Sequence, residues 1–312
     1  MPRRPGARAE IVPATLPTVW LARDWPPTTV AARVRSGTWE RAGRGVLLDA
    51  STTADPYERR RDLALARAIG VHTAASSDRW FSHQTAALLW GLPLWTAPRA
   101  THLLSPHRAG GGRPASLRIH TGPMSDDELT CVNGLPVTSL ARTVADCLAT
   151  LPPLEGLVVA DAALHRKVPA DHVLRAIQLR GRTNGYIRAA ALLSLADDGA
   201  ESPGESATRY QLLRAGLPVP TTQIPVSTRV GTVWGDLGWD GWRVLLEYDG
   251  RDKYVTREDL VAEKRRHDAV VETGRRVLRV THQDMGSAVA RVVPLLPATV
   301  TRNLRRRPEL AA

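Results

Sequence analysis

Residues 235–281, GDLGWDGWRVLLEYDGRDKYVTREDLVAEKRRHDAVVETGRRVLRVT, constrain the fold more than any other part of the chain. Residues 233–239 read as a strand. Asp240-Gly241 reads as the two-residue turn of a hairpin, because both central residues of a type I′ turn need φ > 0. Residues 242–248 make the return strand, which Asp249-Gly250 ends. Residues 258–273 predict an amphipathic helix, with Leu260, Val261, Lys264, His267 and Val271 at helical spacing and Gly274 as its C′ residue. Residues 276–281 form one more strand.

The charges in this frame carry chemistry. A hairpin folds Asp236 and Glu247 towards one end of a sheet. Asp249, two residues past Glu247, points to the same side if the strand continues. Clustered carboxylates repel and raise one another's pKa unless a cation joins them. Mg²⁺, held by one or two carboxylates plus waters and substrate phosphate, satisfies that demand. Two of the three lysines of the chain, Lys253 and Lys264, lie in the same stretch. Lysine is a compact, movable point charge whose pKa shifts readily. Each acid taken alone reads equally well as a solvated turn or strand-end residue.

The stretch resembles the PD-(D/E)XK nuclease superfamily, in particular the bacterial domains related to very-short-patch-repair endonucleases. The shared pattern is a Glu on an opening helix (here from Glu201-Ser202-Pro203-Gly204-Glu205-Ser206 to Leu213), an Asp on one strand, E-x-D-G on the next, then a basic helix and a strand reading VLRVT. The resemblance covers roughly the last third of the chain. It implies that Glu205, Asp236 and Glu247 face a metal, Mg²⁺ or Mn²⁺, with Asp249 nearby, and that the domain is an endodeoxyribonuclease. The sequence departs from the motif where the family has Lys, two residues after the second acid. Asp249 stands there, so Lys253 or Lys264 would have to supply the missing charge.

Net charge decides the expected partner. The formal charge of +11 over 312 residues implies an anionic partner, by default double-stranded DNA, whose neutralised phosphates release counterions. An Arg-rich, Lys-poor composition also arises from a genome of high G+C content without any positive patch. No apolar run reaches membrane-spanning length, and no apolar signal core follows the first charged residues, so the expected location is cytoplasmic. Cys131 and Cys147 are too few for a disulfide framework and read as reduced core residues. Gly110-Gly111-Gly112 is not followed by the Lys-Ser or Lys-Thr of a P-loop. His72 and His83 read as lone histidines without a partner of metal-ligand spacing.

Near the N-terminus, Pro26-Pro27-Thr28-Thr29 opens a helix, with Thr28 or Thr29 as its cap, and Ser36-Gly37 stops it. Residues 39–48 read as a short hairpin with a Gly-rich turn. Helix followed by basic hairpin is the order of a winged helix. The phrase RVRSGTWERAGRGVLL resembles the N-terminal winged-helix domain of AbiEi-like antitoxins of type IV toxin–antitoxin systems. GLPVTSLARTVADCLA with VVADAALHR resembles the region after it. The resemblance implies that Arg33 and Arg35 contact bases or phosphates, that Arg41 and Arg44 touch phosphate from the wing, and that a cognate toxin is a partner.

The expected organisation is a disordered arm at 1–20, a winged-helix-like segment at 21–52 and an antitoxin-like α+β region at 53–198. A nuclease-like α/β domain with a mixed sheet follows at 199–298, then a basic tail at 299–312. The fold class is α+β multidomain. Two functional readings stay open: a metal-dependent endonuclease targeted by a winged helix, and a non-enzymatic antitoxin-like regulator with a degenerate nuclease fold.

Overall fold

A computed structural model of the chain describes residues 10–74, 79–107, 114–181, 185–250, 257–302 and 304–310. Strand β1 (Val19–Leu21) leads to helix α1 (Pro27–Arg35), the hairpin β2 (Trp39–Gly43) and β3 (Val46–Asp49), and helix α2 (Pro56–Ala74). Next come β4 (Trp80–Phe81), α3 (His83–Leu89), β5 (Thr101–Ser105), β6 (Leu117–Thr121), β7 (Leu129–Val132), β8 (Leu135–Thr138) and α4 (Leu140–Thr150). Four helices follow: α5 (Pro153–His165), α6 (Ala170–Gln178), α7 (Tyr186–Leu193) and α8 (Pro203–Arg214). The chain then runs through β9 (Thr221–Thr228), β10 (Gly231–Trp239), β11 (Val244–Tyr248), α9 (Arg257–Val271) and β12 (Arg276–Val280). Helices and three separate sheets make this a mixed α+β protein.

The chain divides into two units and crosses between them more than once. One comprises Ile11–Thr150 and Val168–Ala190, the other Leu151–Lys167 and Ala191–Ala312. The expected boundary at 198/199 is therefore displaced: α5 lies in the C-terminal unit. A buried ion pair ties α5 to α8. Arg209 on α8 donates to both carboxylate oxygens of Asp161 on α5, at 2.9 and 3.1 Å, and neither side chain reaches solvent.

In the first unit, a three-stranded antiparallel sheet in the order β1-β3-β2 follows the helix–hairpin pattern. Strand β3 is a continuous apolar run because both its faces are covered. Leu47 packs with Val30 and Trp39, flanked by Trp20 and Trp25. Val46 and Leu48 pack with Ala42 and Ala66, which brings α2 against the other face. Helix α1 starts with Pro27 at its first turn, a position where the missing N–H costs nothing, so neither Thr28 nor Thr29 is the cap.

The larger sheet of this unit has the order β6-β5-β4-β8-β7, with β5–β6 and β4–β8 parallel. Asn133 and Gly134 take φ of 52° and 76° between β7 and β8, as an Asn-Gly hairpin requires. The predicted arm is anchored over part of its length: the Ala14 amide donates to the Leu89 carbonyl, and Asn133 donates to the Ala14 carbonyl. Residues 1–9 lie outside the described residues. Cys147 is buried as expected, whereas Cys131 is exposed on β7.

In the C-terminal unit the sheet order is β12-β11-β10-β9, antiparallel except for the β11–β12 pair. Its sheet is mixed, as expected. Ile224, Val226, Val233 and Leu245 pack against Val270 of α9. The β10–β11 connection is longer than a type I′ turn. Asp240–Trp242 make one 3₁₀ turn, and Arg243 closes it at φ 53°. Trp242 lies against Trp239 with ring centroids 5.7 Å apart. The end of the predicted basic tail is packed: Leu310 is buried, and its carbonyl accepts from the Tyr210 hydroxyl.

Gly204, in the first turn of α8, sits on the ring of Tyr248. A Cβ there would fall 2.0 Å from the ring edge. Gly204→Ala therefore overpacks the α8–β11 contact and costs about 1–3 kcal/mol, read from the urea midpoint. Most of that cost should vanish in a Tyr248→Leu background; an equal cost in both backgrounds would refute the clash.

Candidate functional site

The acids of the nuclease-like stretch divide into two groups. Glu205 is the third residue of α8, whose N-cap is Ser202. The Ser202 hydroxyl accepts from the Glu205 amide and donates to the Glu205 carboxyl, which also accepts from the Glu201 amide at 2.9 Å. Glu205 is thus first of all a helix-capping residue, with an S-x-x-E signature that explains its position locally. It also faces Asp236. Burial and then the Asp236 charge push the Glu205 carboxyl up to about 8, against the usual carboxylate range. The side chain keeps some solvent contact, but its carboxyl is enclosed by protein on most sides, and the enclosure governs its titration. Asp236 accepts from the Tyr248 amide at 2.8 Å.

Glu247 belongs to the other group. It is buried on β11 and accepts from Arg266 of α9 at 3.0 Å, with Arg279 of the neighbouring strand 3.8 Å away. Glu263 binds the same two arginines. Glu247 is neutralised by protein rather than left to attract a cation. Asp249, two residues on, has a buried carboxylate oxygen without a hydrogen-bond partner among the described residues. Among the described residues, no three of the predicted acids bring carboxylate oxygens within 4.8 Å of one another. Lys264 is exposed on α9 and makes no ion pair among the described residues. Lys253 lies outside the described residues.

The basic residues singled out in the N-terminal helix and hairpin are all exposed: Arg33 and Arg35 on α1, Arg41 on β2, Arg44 at the hairpin tip. They are not equivalent. The Arg33 guanidinium stacks over Trp39 and Trp25, 4.6 and 5.3 Å from the ring centroids, and so covers the tryptophan cluster. Arg35, Arg41 and Arg44 make no ion pair among the described residues. A cleft of about 150 Å³ opens between the hairpin tip and the end of α2, lined by Arg23 and Arg44 among others.

The strongest local concentration of chemistry was hidden from the sequence. His83, His102 and His120 meet, each offering a ring nitrogen within 4.8 Å of the others. His83, expected to be alone, opens α3; His102 and His120 come from the parallel pair β5–β6. No sequence spacing signals the parallel register of β5 and β6 that joins His102 and His120. Burial, then the neighbouring ring of His120, lowers His102 to about 4. Burial, then Arg118 and Arg142, lowers His120 to about 4. Burial, then the other two rings, holds His83 well below its ordinary value. Beside them lies a buried polar network. Arg142 donates to both oxygens of Asp146 and to Glu128; Arg180 also pairs with Glu128, and the Tyr186 hydroxyl donates to Asp146.

No known family profile matches the chain. It is similar to two uncharacterized proteins of Mycobacterium tuberculosis strains, MT2308 and Rv2248. Each is 28% identical over 225 residues, which span 71% of this chain and 80% of the relative. Among solved structures it is similar to the RV2827C protein of Mycobacterium tuberculosis, with 16% identity, a TM-score of 0.36, and coverage of 61% of this chain and 75% of that one. Among the described residues, no helix is long and apolar enough to cross a membrane.

Proposed function

We propose that this chain is a DNA-binding protein that docks through its N-terminal winged-helix segment. The observation that carries the reading is the β1-β3-β2 sheet with α1 packed on it and Arg44 at the free tip of its hairpin. That is the arrangement in which a helix enters the major groove while a wing touches backbone phosphates. Arg41 and Arg44 on the hairpin, unspent on protein partners among the described residues, supply the phosphate contacts, and Arg35 projects from α1. The overall charge of +11 favours the same partner. A toxin as further partner follows from the antitoxin resemblance alone.

The test is salt-dependent binding to random-sequence duplex DNA. Arg41→Ala/Arg44→Ala should weaken binding uniformly across sequences and lower the slope of log K against log salt by about 2. An unchanged slope would show that the hairpin does not touch phosphate.

A second reading rests on a different observation, the Glu205–Asp236 pair with the orphaned Asp249 oxygen. Like charges held together and an unpartnered buried acceptor both call for a cation, which supports a metal-dependent phosphodiesterase using Mg²⁺ or Mn²⁺. Glu205 and Asp236 would hold the ion, with waters and substrate phosphate completing its shell, and the ion would polarise phosphate and activate water. Glu247 serves there as an anchor for Arg266 and Arg279 rather than as a ligand. Metal-dependent cutting of plasmid or single-stranded DNA that is lost in Asp236→Ala would support this reading. Salt-sensitive binding with no cutting by the native chain favours the regulator.

A further inference from the structure

We propose that His83, His102 and His120 form a binding site for a single borderline transition-metal ion of the Zn²⁺ class, in the first unit and separate from the acids of the second. Three elements converge on it. His102 lies on β5, His120 two residues past its register partner Arg118 on β6, and His83 at the start of α3. His102 Nδ1 and His120 Nε2 face each other at 3.0 Å. Two ligands of a tetrahedral Zn²⁺ at about 2.0–2.1 Å stand about 3.3 Å apart, so a small opening of this pair admits the ion. Without metal, one of those nitrogens must carry a proton for the hydrogen bond to form. On binding, that proton moves to the ring's other nitrogen, and both facing lone pairs turn to the ion.

His83 supplies the third ligand. Its backbone takes φ 53°, an uncommon conformation for a residue with a side chain, and the strain sets its ring against the other two. Nδ1 of His83 lies 2.9 Å from the Ser82 hydroxyl and 4.0 Å from Asp146, which leaves Nε2 for the metal. A carboxylate and a hydroxyl behind the far nitrogen are the outer partners that orient metal-bound histidines, and Asp146 is itself fixed by Arg142 and Tyr186. The His83 and His120 rings now lie parallel with centroids 3.6 Å apart, so one of them must swing edge-on when metal enters.

The donor set decides the ion. Three neutral imidazoles suit Zn²⁺, Co²⁺, Ni²⁺ or Cu²⁺ and give Mg²⁺ none of the oxygens it requires. Three protein ligands with His120 half-exposed leave a fourth position open to water or a small anion, the pattern of reactive rather than purely structural zinc sites.

The experiment uses the full chain, stripped with chelator and titrated with Co²⁺ and Zn²⁺. The expected result is one equivalent of Co²⁺ with the intense visible bands of a four-coordinate, nitrogen-rich ion, displaced by Zn²⁺. His120→Asn and His102→Asn should each lower affinity at least tenfold, while His107→Asn leaves it unchanged. Should a variant fail to fold, the native spectrum alone decides. Absence of a four-coordinate Co²⁺ spectrum in the native chain would overturn the site, as would retention of full affinity in folded His120→Asn.

Discussion

Arg209→Met is expected to lower the unfolding free energy by about 3–5 kcal/mol, the cost of stranding one member of a buried ion pair. Arg209 is 2% exposed and Asp161 is fully buried, so no water replaces the lost partner. Among the described residues, Asp161 would keep its bonds to the Asp197 amide and to Ser206. Burial already pushes the Asp161 carboxyl up, with Arg209 the main opposing influence, and removing Arg209 drives it towards the protonated form. The destabilisation should therefore shrink as pH falls. Asp161→Asn/Arg209→Met should recover most of the loss, because it removes both buried charges. Urea unfolding of the four members of this cycle measures it; strictly additive single effects would mean the pair is not coupled.

The second large effect is a pH dependence. Glu205 holds its proton to about pH 8 in the folded chain, whereas an unfolded glutamate releases it near 4.5. Between those values the unfolded state binds fewer protons, so stability falls as pH rises, by at most about 1.4 kcal/mol per unit. Allowing for the solvent that still reaches the side chain, the total is on the order of 2–4 kcal/mol by pH 8. Glu205→Gln has no proton to lose and can still accept from the Glu201 amide. It should match the native chain near pH 4 and exceed its stability by that amount near pH 8. Equal pH profiles would mean that Glu205 ionises normally. The same residue reports on the second functional reading. Adding Mg²⁺ should lower the Glu205 pKa if the ion sits beside Asp236, and a pKa that ignores Mg²⁺ would count against that site.

Much of the local architecture was legible in the residues. Apolar Val46-Leu47-Leu48 and Val244-Leu245-Leu246, and the Asn133-Gly134 turn, each act within a few residues. Such signals select strand, turn or helix without knowledge of the rest of the chain. The Ser202–Glu205 spacing carried a capping signal too, and the nuclease resemblance set Glu205 and Asp236 at one site. The Asp240-Gly241 turn is replaced by a longer connection, in which Arg243 takes the left-handed conformation and Trp239 pairs with Val244.

By its sequence alone, this protein was determined to be basic, mixed α and β, with a helix–hairpin near the N-terminus and a strand–helix–strand stretch of clustered acids near the C-terminus. Tertiary structure decided which charges meet. Glu247 found Arg266 and Arg279 instead of joining Glu205 and Asp236; Asp161 found Arg209 and carried α5 into the C-terminal unit. His83, His102 and His120, spread over 38 positions of sequence, came together through a parallel strand pair and one strained backbone residue. The physical reason is the same in each case. Periodicity encodes which face of an element is apolar, whereas the pairing of buried polar groups depends on the register and packing of elements distant in the chain, where desolvation makes each partner matter.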